Sequence, residues 1–331
     1  MQFGLSEEQS LLQESINRFL SNQVPLDEVR KIADGDKPES DVWTGLIDLG
    51  IPGLLISEAN GGLGLSSLDA AIVAEALGYH VTPSPYLSSA AIAPVVLQSA
   101  GKREDLLGGA AIGETRIGIA FTEGVGARRD TAVIAENGKL NGKSLFAMDA
   151  SADYYLVAMT ERQIYLVRAD ADGLERKPLA TVDRTQSTCE LAYSNVPAEL
   201  ISDDPAVFNR SLDCALVVMA ADTLGAAQCA LDQAVAYAGQ REQFNRVIAS
   251  FQAVKHMCAE MAAALEPCRS MVWYAAHALD ELPDEALMMA SHTKAHLSEV
   301  GQFVTRTATE VHGGMGFTDL VGLHYWFKRA G

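Results

Sequence analysis

The chain has 331 residues, 48% hydrophobic and 21% charged, which is enough for two or three packed units rather than one small core. Its 43 acidic against 25 basic side chains give a net charge of −18, which repels phosphate backbones and anionic lipid surfaces and argues against nucleic-acid and membrane partners. The opening MQFGLSEEQS has acids where a secretory leader has lysines, and no apolar run approaches the roughly 20 residues of a membrane span, so a cytoplasmic location is expected.

The first hundred residues read as helices. Ser6 and Gln9 have the spacing of a capping box, and Leu12, Ile16, Phe19 and Leu20 then recur at helical intervals. Further helices are expected over 41–49 and 68–77, with GGLGLS (61–66) as a loop, since it lacks the G-x-G-x-x-G spacing and the strand-turn-helix setting of a dinucleotide fingerprint. From about Ile117 the period falls to two. TAVIA, DYYLVAM, QIYLVRA and STCELAY are rich in β-branched and aromatic residues, and Asn137-Gly138 and Asn141-Gly142 read as turns, so an antiparallel β unit is expected over about 115–200. After Asp203-Asp204-Pro205 long helices are expected over about 206–240, 250–280 and 284–312, the last stopping at Gly313-Gly314. The division is therefore a helical domain (1–113), a β domain (114–204) and a helical bundle (205–331).

Cys189, Cys214, Cys229, Cys258 and Cys268 show no zinc or disulfide spacing and read as small buried hydrophobes, with no metal site. His256, His292, His296, His312 and His324 are scattered over helices without a cysteine or serine partner in register, and surface or capping roles are expected for all five.

The stretch REQFNRVIASFQAVKHMCAEM, 241–261, concentrates donors and aromatics at one helix junction. Arg241 can pair bidentately with a diphosphate, Phe244 can cover a flat ring, and Gln252 can hydrogen-bond a base or sugar edge. The same residues also fit an ordinary helix end, where an arginine complements the macrodipole.

Their order, R-E-Q-F-N-R-V-I-A-S-F-Q-A-V-K-H, resembles the R-x-Q-F-G-x-P-I-x-x-F-Q-x-V-x-H block of the acyl-CoA dehydrogenases. FTEG (121–124) is similar to the family's T-E-P strand end, NGKSLF (141–146) to its N-G-x-K-x-W/F turn, and EVHGGMGFT (310–318) to its Q-x-x-G-G-x-G loop. The resemblance runs from about Leu5 to Ala330. It implies an α+β fold with an N-terminal helical domain, a middle antiparallel β-barrel and a C-terminal four-helix bundle. It also implies FAD held between subunits, an acyl-CoA substrate and an electron-transfer flavoprotein as acceptor. On this basis Arg241 is expected at the pyrophosphate, Phe244, Gln252, Gly313 and Gly314 around the adenosine half, and Phe121, Thr122, Phe146 and Met148 facing the flavin.

The family reaction needs a carboxylate base for the α-proton. In most members it stands in a Y-E-G-T loop well after the G-G-x-G loop, and this sequence ends at Gly331, short of that point. In a minority it projects from the helix preceding L-G, where gapless alignment through Leu224-Gly225 puts Ala215. Asp213 would be rotated from that position by about 200°, and Asp222 would stand roughly 10 Å further along the helix, so no catalytic carboxylate is recognisable. Met148 replaces a Ser or Thr, Gly124 the proline of T-E-P and Glu310 a glutamine, so the flavin face is altered more than the pyrophosphate block. This pattern, with the tail LHYWFKRA, resembles the short subunits of heterotetrameric acyl-CoA dehydrogenases of steroid and bile-acid side-chain breakdown. The expectation is an FAD-dependent α,β-dehydrogenation of a bulky acyl-CoA by a hetero-oligomer in which a second acyl-CoA dehydrogenase subunit carries the base. The alternatives are a self-sufficient homo-oligomer using an unconventional base such as Asp222, and a non-catalytic scaffold of the same fold.

Overall fold

The computed structural model describes residues 4–126 and 132–331; Thr131, which opens the TAVIA run, lies outside them. Helices α1 (Glu7–Gln23), α2 (Leu26–Ala33), α3 (Ser40–Asp48), α4 (Ser67–Tyr79), α5 (Ala93–Ala100) and α6 (Glu104–Ala111) come first. Strands β1 (Ile117–Ala120), β2 (Val133–Glu136), β3 (Lys139–Met148), β4 (Tyr154–Ala158), β5 (Ile164–Arg168), β6 (Leu174–Pro178), β7 (Thr188–Pro197) and β8 (Glu199–Ser202) follow. Then come α7 (Pro205–Gln240), the short strands β9 (Glu242–Gln243) and β10 (Arg246–Val247), α8 (Gln252–Glu281), α9 (Pro283–His312) and α10 (His324–Ala330).

The start of α1 is dictated locally. The Gln9 N–H donates to Ser6 Oγ at 3.1 Å and the Ser6 N–H to Gln9 Oε1 at 3.0 Å, which satisfies two of the donors that a helix start leaves open. The expected helices over 41–49 and 68–77 are α3 and α4, within about two residues, whereas α2 had no expectation of its own. One expectation is corrected: α7 is long and apolar enough to cross a bilayer by length and composition. In the structure 78% of its most apolar window is buried inside the protein, so that apolarity serves packing.

By its internal contacts the chain forms two compact units. One comprises Met1–Lys37, Ala71–Thr82 and Leu216–Gly331, the other Pro38–Ala70 and Pro83–Ala215.

The second unit is built on a sheet with strand order β6-β7-β3-β1-β4-β5-β8 and β2 beside β3. The β-rich middle of the chain is therefore as expected, but it is a mixed sheet, because β1 pairs parallel with β4 (Ile117 with Tyr154 through Ala120 with Val157). A parallel pair needs a crossover connection, here supplied by β2 and β3, and local alternation carries no information about it. Alternate β4 residues feed two cores. Leu156 and Ala158 join Val96, Leu97, Leu107, Ile119 and Phe208, while Tyr155 and Val157 join Leu140, Leu191 and Val196.

Asn137 and Gly138, with φ of 50° and 73°, make the two-residue turn between β2 and β3 as expected. Asn141-Gly142 does not turn and is corrected to the interior of β3. Gly142 (φ 118°) sits there at a register shift, where a Cβ would come inside 3.0 Å of the Ala132 carbonyl, so the glycine marks a bulge.

The first unit carries the long helices of the bundle. Inside it α4 and α7 cross backbone to backbone: a Cβ on Gly78 would come inside 3.0 Å of the Asp222 carbonyl, and one on Gly225 inside 3.0 Å of the Glu75 carbonyl. Ion pairs frame this crossing. Arg269 of α8 pairs with the buried Glu75, and Arg329 of α10 takes Asp222 bidentately at 2.9 and 2.6 Å while donating to the Thr82 carbonyl at 3.0 Å. The Trp326 indole N–H adds a bond to the Tyr79 carbonyl at 2.8 Å.

Candidate functional site

Five of the nine predicted cofactor residues lie in the first unit. Arg241 is fixed through its backbone, whose N–H donates to the Tyr237 carbonyl and whose carbonyl accepts the Ile248 N–H, both at 2.8 Å. Its guanidinium is exposed and has no carboxylate partner among the described residues. β9 and β10 then pair as a tight hairpin with Phe244 and Asn245 at its tip, at φ 54° and 60°. Both tip positions are left-handed, as a type I′ turn requires, and this accounts for the glycine that the family block has at position 245. Asparagine tolerates that region, whereas for Phe244 it costs about 1–2 kcal/mol.

Phe244 is nevertheless 86% exposed, with only an edge contact to Phe251 at 6.1 Å between centroids. The Arg246 guanidinium covers Phe251 at 3.9 Å, and the exposed Gln252 follows it as the first residue of α8. Strain at a side chain that buries nothing points away from folding. Phe244→Gly relieves that strain but adds backbone entropy to the unfolded chain, so the net change in stability is expected to stay within about 1 kcal/mol in denaturant unfolding, against the roughly 3–5 kcal/mol of a core phenylalanine.

α9 stops at Gly313 (φ 57°, ψ −137°) as expected, and Gly313 and Gly314 are both exposed with nothing within 4 Å of where a Cβ would stand. The preceding His312, for which a surface or capping role is expected, is not on the surface and instead bonds a carbonyl of the last helical turn. It is 4% exposed, its Nδ1 bonds to the Ala308 carbonyl at 2.8 Å, and its ring stacks on Tyr237 at 4.5 Å and 26°. Tyr237 thus joins the Arg241 hairpin to the Gly313-Gly314 loop at one end of this unit.

The other four residues lie in the second unit, at the paired ends of β1 and β3. Ile119 pairs with Met148, and the Thr122 hydroxyl donates to the Leu145 carbonyl at 2.7 Å. Phe121 is buried against Phe208, with ring centroids 5.1 Å apart, while Phe146 is half exposed at φ 55° where β3 bulges between Ser144 and Ala147. A Cβ at Gly124 would come inside 3.0 Å of Phe208 and Ala158, so this packing leaves no room for the family's proline. Beside Met148 lies a cleft of about 250 Å³ empty volume, walled by Ser84, Leu87, Ser88, Gln186, Ser187 and the carboxylates of Glu39 and Asp149. Arg116 holds both acids, donating to Asp149 at 2.9 and 2.7 Å and to Glu39.

Residues 6–105 match the model of the acyl-CoA dehydrogenase N-terminal domain and residues 206–330 that of the acyl-CoA dehydrogenase C-terminal domain. The chain belongs to the acyl-CoA dehydrogenase family. It is 29% identical over 98% of its length, and 93% of the relative's, to the acyl-CoA dehydrogenase IpdE2 of Mycolicibacterium smegmatis. Among solved structures it is 27% identical to a chain described as the Tcur3481-Tcur3483 steroid ACAD G363A variant, with a TM-score of 0.88, covering 98% of this chain and 92% of that one. The ChsE4-ChsE5 complex of Mycobacterium tuberculosis, 24% identical with a TM-score of 0.89 over 100% and 93% of the two chains, shares the fold.

Members of the acyl-CoA dehydrogenase family are FAD-dependent flavoproteins, and the two residue sets fit such a cofactor unequally. The first offers an unpaired guanidinium, an exposed aromatic ring and open glycine backbone, the donor set that a pyrophosphate and adenosine need. The second is committed inward in part, with Phe146 left half exposed. Phe121 is packed, the Thr122 proton is given to Leu145, and Met148 has no donor.

None of the three positions weighed for a base, 213, 215 and 222, offers a free carboxylate. Ala215 is buried in the apolar core with Phe121 and Phe208, and Asp222 is engaged by Arg329. Asp213 is 6% exposed, its Oδ1 has no hydrogen-bond partner among the described residues, and burial raises its pKa from its ordinary value. A carboxyl with a raised folded pKa contributes stability that is full below its unfolded value and lost as pH rises through the folded one. Asp213→Asn is therefore expected to raise Tm at neutral pH and to flatten the decline between weakly acidic and neutral pH, read from melting curves across that range.

Proposed function

We propose that this chain is the partner subunit of a hetero-oligomeric acyl-CoA dehydrogenase and completes an FAD site whose flavin contacts and catalytic base belong to the second subunit. The observation that carries this reading is the inequality of the two residue sets. The adenosine-side residues are exposed and open, with no carboxylate partner for Arg241 among the described residues, whereas on the flavin side Phe121 is packed against Phe208 and the Thr122 hydroxyl is given to Leu145, leaving Phe146 half exposed.

Bound FAD supplies the hydride acceptor for the β-carbon of the thioester. This chain's part is binding. Arg241 neutralises the pyrophosphate, Phe244 covers the adenine, Gln252 hydrogen-bonds the adenosine edge, and Gly313 and Gly314 let the backbone come close. Ala215 moves no proton, so proton abstraction falls to the partner. The division into 1–113, 114–204 and 205–331, a cytoplasmic location and electron delivery to an electron-transfer flavoprotein are part of the same proposal. The likeness to a steroid ACAD supports a bulky polycyclic acyl-CoA as substrate.

The test is anaerobic addition of such an acyl-CoA to this chain alone and to the complex co-purified with an acyl-CoA dehydrogenase chain encoded beside it. Bleaching of the visible flavin band is expected in the complex only. Bleaching by this chain alone restores the self-sufficient reading.

A further inference from the structure

Tyr237 stands outside the motifs that marked the cofactor residues, and His312 fills an unspecified position of the EVHGGMGFT segment, yet together they touch both segments that carry those residues. Tyr237 is in the last turn of α7 and its carbonyl takes the Arg241 N–H at 2.8 Å, the bond through which the hairpin leaves the helix. His312 is the last residue of α9, directly before Gly313. The rings stack at 4.5 Å and 26°, and His312 is further fixed by its bond to the Ala308 carbonyl at 2.8 Å.

Two features argue that this is more than core filling. The stack joins the ends of two helices, where fraying is otherwise expected, and the residues next to it bury nothing: Arg241, Gly313 and Gly314 are exposed. A ring pair that is half-buried at Tyr237 and buried at His312 fixes the spacing between the backbone from which the exposed Arg241 projects and the open glycine backbone. That spacing is what a pyrophosphate joined to an adenosine demands, since an anchor slightly out of place loses much of its binding.

We infer that Tyr237 and His312 are positioning residues for the adenosine diphosphate half of FAD, acting through Arg241 and Gly313-Gly314. The inference rests on the proposed shared site and deepens it.

The experiment measures FAD affinity in the purified complex by flavin fluorescence, alongside Tm and assembly by size-exclusion chromatography. Tyr237→Leu and His312→Leu, which keep apolar volume but remove the stack, are each expected to raise the FAD Kd by about tenfold. The aromatic replacements Tyr237→Phe and His312→Phe are expected to keep it near wild type. The double Leu variant should be no weaker than either single one, because both remove the same contact. A merely structural role would lower Tm and leave Kd unchanged, and that result overturns the inference; so does equal loss of affinity in the Leu and Phe variants. A wild-type complex without FAD overturns the proposed function itself, and with it this inference.

Discussion

Replacing Arg241 with Ala is expected to weaken FAD binding by the complex by about 10–100-fold, the worth of charge-assisted hydrogen bonds to an anion. Stability should barely move, because the guanidinium is exposed and pairs with no carboxylate among the described residues. This combination is diagnostic. Arg241→Lys should fall between the two, since an ammonium offers a point charge where guanidinium offers a planar fork. Equilibrium dialysis of FAD against the complex, with melting curves of this chain, reads both quantities. Unchanged FAD affinity in Arg241→Ala would remove the residue from the site and leave the macrodipole explanation standing.

The largest effect on stability is expected from Gly225→Ala, with Gly78→Ala close behind. Alanine usually favours a helix by about 1 kcal/mol over glycine, but here the added methyl has no space. At either position it meets a backbone carbonyl of the facing helix inside 3.0 Å, and a backbone cannot step aside as a side chain can. α4 and α7 must separate, which disturbs the Glu75–Arg269 and Asp222–Arg329 pairs at the same crossing. A net loss of about 3 kcal/mol is expected in denaturant unfolding. A gain in stability would mean that the crossing is looser than described.

Several features of the fold were legible because their cause is local. The capping box at Ser6, the Asn137-Gly138 turn and the helix stop at Gly313 follow from the chemistry of two to four adjacent residues. The parallel β1–β4 pair was not legible, since it depends on which strand lies next door. Asn141-Gly142 misled for the same reason, as one dipeptide serves a turn or a bulge according to what faces it. The apolar length of α7 runs against the expectation of no span-length apolar segment because small polar interruptions mask its apolar window, whose burial only tertiary packing explains.

At the candidate site, the ordered block from Arg241 to Gln252 named the exposed residues, yet no pattern marked Tyr237 or His312. Their roles rest on a ring contact between residues 75 positions apart in sequence, and a tyrosine four residues before an arginine is unremarkable by itself. The strain at Phe244 was equally hidden. Only the hairpin geometry reveals that this phenylalanine occupies a glycine-like conformation.

The most direct test of a shared cofactor site is the flavin content of this chain purified alone and purified together with its acyl-CoA dehydrogenase partner. The account predicts a colourless chain alone, and a yellow complex carrying one FAD for each pair of chains. One FAD per copy of this chain in the absence of the partner would contradict it, as would a complex without flavin.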